Sequence, residues 1–358
     1  MRTIALAALL LFSPAAGAGT SSGDDDPRLA AARGEIRDLL VAGLGARALA
    51  ALDPLLAAHP DEPGLHALHG EALFALERHA EAVTAFERAS ALDPSLRGKL
   101  FNHGRALQEL GRHEGAIAVF EAMRREPEAA RRAQGAFGLG LSRQALGEEA
   151  AAAEAFREAL LLDPGSQRAR YRLALIDIAQ GRDGEAESAL VIVLAEDPLH
   201  HGAAYNRALA LGRLGREAES EAAWARYRQV LAGKQRISLI EERLTGTAED
   251  LDRLVELGRV HAELGAHAAA IGWFQRAGTI SPLDPRPAIG SVASLRALGR
   301  AADAERLCTL LLARDPPLEE LRAPLIELLE ARGAAAEAER WRRPVPPPAP
   351  APPQAPRS

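Results

Sequence analysis

The sequence contains little cysteine, few aromatic residues and no excess of positive charge. Its 358 residues include one Cys and 4% Phe, Trp and Tyr, although 47% of the residues are hydrophobic. The single Cys308 excludes intramolecular disulfides and Cys-based zinc or iron–sulfur sites. The formal charge of −6 argues against general nucleic-acid binding, for which a basic domain is expected. A core of Ala and Leu with few rings favours close helix packing over a β-sandwich or barrel.

The first 18 residues have the composition of a secretory signal peptide. One basic residue precedes an apolar run from Ile4 to Phe12, and the segment ends in Ala16-Gly17-Ala18. We therefore expect cleavage after Ala18 and a periplasmic or secreted mature chain. The apolar run is shorter than the roughly 20 residues that span a bilayer, so retention as a membrane anchor is the less favoured alternative.

Two further segments lack the apolar pattern of a folded core. Residues 19–28 form a polar linker, and residues 342–358 form a Pro-rich tail. The composition of the tail favours polyproline II, an extended conformation without internal hydrogen bonds. Such a tail could act as a semi-rigid spacer or dock on an aromatic groove.

Between these ends the sequence repeats with a period of about 34 residues, and three series share the register. Small residues recur at Gly70, Gly104, Gly140, Ala174, Ala208 and Gly258. Bulky positions follow at Phe86, Phe120, Phe156, Leu190, Trp224, Phe274 and Cys308. Glycines fall midway at Gly43, Gly111, Gly147, Gly181, Gly215, Gly265, Gly299 and Gly333. This order predicts helix–turn–helix units in which a small residue allows close helix approach and the midway Gly ends the first helix in a left-handed conformation.

The unit with Leu139-Gly140, Ala152, Phe156 and Pro164 resembles the tetratricopeptide repeat family, as does the unit that begins at Leu257-Gly258. The resemblance implies an all-α fold, a right-handed α-solenoid of about eight helix–turn–helix repeats with a C-terminal capping helix pair. Repeats 1–6 are assigned to 29–230, and repeats 7–8 with the capping helices to 251–341. Stacked units complete each other's apolar core.

An insertion of sixteen residues interrupts the register after Trp224, and we assign an inserted helical segment to 231–250. Ile237, Ile240 and Leu244 recur there at helical spacing. The pattern predicts that the preceding helix is lengthened and that a short extra helix follows, with a division of the solenoid into two lobes at this point.

In the tetratricopeptide family the first helices line a concave groove that holds extended peptides or partner helices. The resemblance therefore implies a non-catalytic scaffold or adaptor of the bacterial cell envelope. Four rings share the repeat register on this face: Phe101, Phe137, Tyr171 and Tyr205. They could stack on an apolar or Pro-containing ligand, or pack between adjacent first helices. The polar neighbours that could bond a ligand are Asn102, Arg105, Gln108, Gln144, Arg168, Arg172 and Asn206.

One subfamily holds a C-terminal carboxylate with a clamp of two basic and two Asn side chains. Arg168 and Arg172 resemble its basic pair, but Gly138 stands where an Asn is needed. The clamp is therefore incomplete.

Two other function classes remain open. His66, His69 and His103 could approach a metal ion in a metal-binding or metal-dependent protein, although no carboxylate or Cys completes a signature. A purely structural spacer is the other alternative. No nucleophile elbow, Walker loop or His-Glu-x-x-His motif occurs, so we expect no enzymatic activity and no cofactor. The expected partner is a protein or peptide and not nucleic acid, and no membrane span is expected after signal cleavage.

Overall fold

Helices form the regular structure of the protein in the computed structural model, which describes residues 27–244, 250–314 and 317–342. These ranges contain eighteen α-helices and no β-strand. The helices are α1 (Pro27–Val41), α2 (Gly45–Ala58), α3 (Pro63–Ala75), α4 (His79–Leu92), α5 (Phe101–Glu109), α6 (His113–Met123), α7 (Ala129–Ala145), α8 (Glu149–Leu162), α9 (Gln167–Ala179), α10 (Asp183–Glu196), α11 (His201–Arg213), α12 (Glu217–Leu244), α13 (Leu251–Glu263), α14 (His267–Ile280), α15 (Pro285–Ala297), α16 (Ala301–Leu312), α17 (Arg322–Ala331) and α18 (Ala335–Arg342).

The segments with the most unusual composition fall outside this description. The expected signal peptide at 1–18 lies outside the described residues, as do all but two residues of the linker and all but one of the tail. None of the described helices is both long enough and apolar enough to cross a membrane.

Consecutive helices pair into nine hairpins, from α1–α2 to α17–α18. This arrangement confirms the predicted all-α solenoid of about eight repeats with a closing helix pair. The chain divides into two compact units, residues 1–169 and 170–358, with the division near the start of α9. The division therefore does not coincide with the insertion at 231–250, where a separation into lobes was predicted.

Each hairpin turns through one residue with a left-handed backbone. All eight midway glycines have a positive φ, for example +69° at Gly111 and +78° at Gly147. Glycine adopts this conformation without the steric cost that a Cβ imposes. The α3–α4 turn uses Glu77 instead, with φ 60°. The prediction that the midway Gly ends the first helix is confirmed for all eight.

Phe120 of α6 and Phe274 of α14, the bulky residues of two second helices, each lie in a socket made by small residues. A Cβ placed on Gly104 of α5 would lie 2.5 Å from the Phe120 ring, and one on Gly138 of α7 would lie 2.4 Å from the same ring. Phe274 has the same relation to Gly258 and Gly290. A ring held between two glycines brings the helices of one hairpin and the next hairpin into contact, and this packing closes the core.

The insertion forms one continuous helix and not a helix followed by a short extra one. Helix α12 runs for 28 residues, and Ile237 and Ile240 are buried on its final turns against Leu257, Val260 and Leu264 of the α13 hairpin. The predicted extra helix was therefore wrong over the described residues. The apolar spacing simply continues the face of α12, and residues 245–249 lie outside the description.

Candidate functional site

A cleft of about 430 Å³ lies in the first unit, beside the N-terminal ends of three first helices. Phe101 starts α5, Phe137 lies in the third turn of α7, and Arg168 lies in the first turn of α9. We call this site the Phe101–Phe137 cleft. Its lining residues are Phe101, Ala130, Ala133, Gln134, Phe137, Ala159, Leu162, Asp163, Ser166 and Arg168. Three of the predicted groove residues therefore come together here.

The Arg168 guanidinium lies over the Phe137 ring, which lines the cleft. The guanidinium carbon of Arg168 lies 4.7 Å from the centre of the Phe137 ring, a cation–π distance. Arg168 is exposed and has no carboxylate partner among the described residues. The guanidinium is thus oriented by the ring while its hydrogen-bond donors remain available to a ligand. Arg105 is held in a related way, with its guanidinium carbon 4.9 Å from the Phe74 ring centre.

The two Phe side chains also contribute to the core. Phe101 packs on Phe120 with ring centres 5.9 Å apart, and Phe137 packs on Phe156 at 5.8 Å. In both cases the contact joins the first helix of a hairpin to the second helix of the same hairpin. The ring–ring contacts of Phe101 and Phe137 therefore lie within a hairpin. Phe137 is 8% exposed and Phe101 is half-buried, so both rings present only an edge or part of a face to the cleft.

The two predicted Tyr residues lie in the second unit. Tyr171 packs on His200 with ring centres 4.4 Å apart, and its hydroxyl accepts a hydrogen bond from Asn206 Nδ2 at 3.3 Å. Tyr205 is 42% exposed and contacts Trp224 and Tyr227. Arg172 is also exposed in this unit.

Several predicted polar groups are already occupied by contacts between helices. Gln108 Nε2 donates to Gly138 O at 3.0 Å and to Ser142 Oγ at 2.8 Å. Asn102 donates to Glu71, whose pKa is raised because burial disfavours the carboxylate. Gln144 is half-buried near the end of α7. Gln108 and Asn102 therefore tie neighbouring hairpins together and are poorly available to a ligand.

The incomplete carboxylate clamp has a steric explanation. Any side chain at position 138 would place its Cβ 2.4 Å from the Phe120 ring, where no Cβ fits without a rearrangement. Glycine is required by the socket, so an Asn cannot occupy this position while Phe120 fills the seam.

The three histidines of the metal hypothesis have separate environments. His103 is buried, stacks on Phe86 at 5.5 Å and has neither ring nitrogen hydrogen-bonded to a described residue. Burial lowers its pKa to about 4, with smaller contributions from Arg112 and Arg97. His66 Nε2 lies 2.7 Å from Pro60 O. Burial also lowers the pKa of His69. Over the residues the structure covers, no group of three or more His, Cys, Asp or Glu side chains could hold a metal ion.

Sequence reasoning missed part of the cleft. Gln134, Asp163 and Ser166 line it, and none of them was predicted. Gln134 lies one turn before Phe137, a spacing that places two side chains on the same face of a helix. That spacing could have identified Gln134. Asp163 and Ser166 come from the loop that precedes α9, where the repeat pattern carries no information on side-chain direction.

Two family models described as tetratricopeptide repeat match the chain. One matches residues 144–212, and the other matches residues 33–96, 101–169 and 246–285, so that together they cover more than half of the chain. No curated protein matches the chain.

Solved structures of repeat proteins resemble it at low identity. The C-terminal part of a TPR repeat-containing protein from Cytophaga hutchinsonii shares 16% identity over 72% of this chain and 98% of its own, with a TM-score of 0.48. A tetratricopeptide repeat protein from Parabacteroides merdae shares 17% identity over 74% of this chain and 98% of its own, with a TM-score of 0.45. YrrB, described as a TPR protein with an unusual peptide-binding site, shares 18% identity over 50% of this chain and 91% of its own, with a TM-score of 0.43.

Proposed function

Because the chain belongs to the tetratricopeptide repeat family, whose members are generally non-catalytic interaction scaffolds, we propose that it binds an extended peptide segment of a protein partner in the Phe101–Phe137 cleft. The observation that carries this proposal is the exposed Arg168 guanidinium held over the Phe137 ring beside an open apolar floor. Cleft volume and lining together suit one bulky apolar side chain and the backbone next to it.

The chemistry of the cleft specifies two features of the ligand. The ring edges and the Ala and Leu side chains of the floor favour an apolar or proline side chain, whose burial supplies about 25 cal/mol per Å². Arg168 favours a carboxylate close to that side chain, because its planar fork can donate two parallel hydrogen bonds. Gln134 and Ser166 on the rim can bond the ligand backbone.

The proposal is tested by selecting peptides from a random display library on the full chain and measuring the affinity of the enriched peptides. Arg168→Ala should weaken binding by about tenfold or more, since a hydrogen bond to a charged group contributes roughly 1.5–3 kcal/mol. Arg157→Ala, an exposed Arg of α8 that does not line the cleft, is the matched control and should leave the affinity unchanged.

Two results would reject the cleft as the binding site. One is a library that yields no binders with an acidic residue near an apolar one. The other is equal affinity of such binders for the wild-type chain and the Arg168→Ala variant. Either result would favour the structural-spacer alternative or a different binding surface.

We also propose that the protein acts outside the cytoplasm, as a scaffold of the bacterial cell envelope. The support is the composition of residues 1–18, with its short apolar run and small residues before Ala18. Expression with this segment should give a periplasmic product whose mass matches a chain starting at Gly19. A full-mass product in the cytoplasm would reject export.

A further inference from the structure

The bulky residue of the repeat is buried in every one of its seven positions except one. Six of the seven bulky residues are at most 2% exposed, namely Phe86, Phe120, Phe156, Leu190, Phe274 and Cys308. Trp224 of α12 is only half-buried. One turn further on, Tyr227 is half-buried too, although the equivalent Met123, Ala159 and Val193 are at most 1% exposed.

The inserted residues explain why this seam stays open. In two other hairpins a glycine of the next first helix covers the bulky residue, since α7 covers Phe120 through Gly138 and α15 covers Phe274 through Gly290. After α12, the next first helix contacts the extension instead, since a Cβ on Gly233 would meet the Leu264 side chain at 2.4 Å. Glu256, the counterpart of Gly138 in α13, pairs with Arg236 at 2.9 Å. Helix α13 is therefore displaced along α12 and leaves Trp224 and Tyr227 without a covering helix.

The uncovered residues form one aromatic surface. Tyr205, Trp224 and Tyr227 contact one another edge-to-face, with ring centres 5.2–5.9 Å apart. Leu231, one further turn along α12, is 38% exposed and extends the apolar stripe. We call these four residues the aromatic face. Neither phenol hydroxyl nor the indole N–H has a hydrogen-bond partner among the described residues, so three donors border exposed ring surface.

We propose that the aromatic face is the docking site of the chain's own Pro-rich segment, Pro344 to Pro356. That segment contains eight prolines and no acidic residue. A polyproline II chain has flat proline rings that stack on Tyr and Trp, and its carbonyls lack internal partners and accept hydrogen bonds from such side chains. A partner helix fits less well. Helices α7 and α15 cover Phe120 and Phe274 by placing one glycine over one ring, whereas three projecting rings offer no such single socket.

The segment is long enough to reach this surface. It begins just after α18, which ends at Arg342, and both α18 and the aromatic face belong to the second unit. Three hairpins, α13–α14 to α17–α18, separate them along the chain. At about 10 Å for each stacked helix layer the separation is roughly 30 Å. The thirteen residues from Pro344 to Pro356 span about 40 Å in polyproline II at ~3.1 Å per residue.

Hydroxyl-radical footprinting of the full chain, read by mass spectrometry at individual residues, tests the docking. The wild-type chain is compared with a full-length variant in which the prolines from Pro344 to Pro356 are replaced by Ser. Because the segment is tethered to the chain, its effective concentration near the aromatic face is on the order of millimolar. Loss of its docking in the variant should raise the oxidation of Trp224 and Tyr227 about threefold. Trp273, which is half-buried on α14 and not part of the aromatic face, should be oxidised equally in both chains.

Two additions keep the test decisive. A synthetic peptide of residues 344–358 added to the Ser variant should restore protection of Trp224. Tyr227→Ala should raise the oxidation of Trp224 more in the wild-type chain than in the Ser variant, because only the wild-type chain loses a docked segment in addition to the direct Tyr227 contact. Unchanged helicity by circular dichroism is the folding control.

Several outcomes would overturn the proposal. Equal oxidation of Trp224 in the wild-type and Ser chains would show that the segment does not cover it. Protection that persists in the Ser variant would identify another occupant, and protection that rises with protein concentration would identify a second copy of the chain. A peptide that protects Phe101 and Phe137 instead of Trp224 would place the segment in the cleft of the first unit.

Discussion

The contact of Phe120 between α6 and α7 and the surface around Trp224 occur at the same position of the repeat. The first is closed and the second is open to solvent. In the first unit Phe120 lies between Gly104 and Gly138 and is fully buried. In the second unit Trp224 occupies the corresponding position and is only half-buried, because α13 packs further along α12. The bulky residue alone therefore does not close a seam. At Phe120 closure also uses Gly138 of the next first helix, whereas α13 contacts the extension of α12 and not Trp224.

The comparison predicts that equivalent truncations have unequal costs. Phe120→Ala should reduce the free energy of unfolding by about 4 kcal/mol, because it empties a closed socket. Trp224→Ala should cost about 2 kcal/mol, since part of the indole is already hydrated. Urea denaturation followed by circular dichroism gives both values. Equal costs would mean that the Trp224 seam is as closed as the Phe120 seam.

The closed seam also predicts a pH dependence. Burial lowers the pKa of His103 to about 4, so the unfolded chain binds a proton at a higher pH than the folded chain does. The contribution of His103 to the free energy of unfolding is therefore fully present above pH ~6.5 and is lost as the pH falls toward 4. At 1.36 kcal/mol per pKa unit, this contribution is about 3 kcal/mol. His103→Leu should flatten this slope in unfolding measurements at pH 7, 5.5 and 4.5.

A residual slope should remain in that variant. Burial also lowers the pKa of His69, His200 and His261, and they contribute in the same direction. If the dependence of the unfolding free energy on pH were unchanged in His103→Leu, the assignment of His103 to a buried position with a lowered pKa would be contradicted.

The sockets of the two units should respond differently to a methyl group. Gly138→Ala should cost about 2 kcal/mol because the added Cβ meets an enclosed aromatic ring. Gly233→Ala meets the end of the flexible Leu264 side chain, and the helix-propensity gain of about 1 kcal/mol offsets the contact. Thermal unfolding compares the two variants. Gly272→Ala, with open space around the added methyl, is the control and should stabilise α14. A larger loss for Gly233→Ala would reverse the comparison.

The smallest expected difference concerns a polar contact present in one unit only. Gln108 bonds Ser142 Oγ, whereas the equivalent Ala262 leaves Ser294 Oγ buried without a partner among the described residues. Gln108→Ala should cost about 1 kcal/mol, and Ala262→Gln should stabilise by a similar amount. Urea denaturation of both variants provides the measurement. A destabilising Ala262→Gln would show that the second unit cannot accommodate the side chain.

Features that follow from the repeat register were predictable from the sequence. The left-handed glycines and the buried positions of Phe120 and Phe156 depend on spacing alone. The residue type at Glu77 does not indicate a left-handed backbone. Only comparison with the other turns identifies this position as left-handed. The continuity of α12 was missed because Gly233 in mid-helix weakens the helical pattern, while the contact with Leu264 that favours a Gly there is tertiary.

The candidate site was less predictable than the fold. The register identified Phe101, Phe137 and Arg168, which come together in the cleft. It could not show that Gln108 and Asn102 are occupied by contacts between hairpins, because such bonds depend on side-chain direction across two helices. Nor could it separate Phe101 and Phe137 from Tyr171 and Tyr205, which belong to the second unit.

The shared geometry of the hairpin turns bears on how a gene for such a chain changes in length. The hairpins turn through the same left-handed backbone. When 34 codons are gained or lost in register, the two chain segments that become connected therefore have matching turn geometry. Recombination between units then changes the number of hairpins without creating a new kind of junction. The 28-residue α12 breaks this equivalence. An exchange whose end falls within α12 would join helices of unequal length and would create a junction unlike those of the other hairpins.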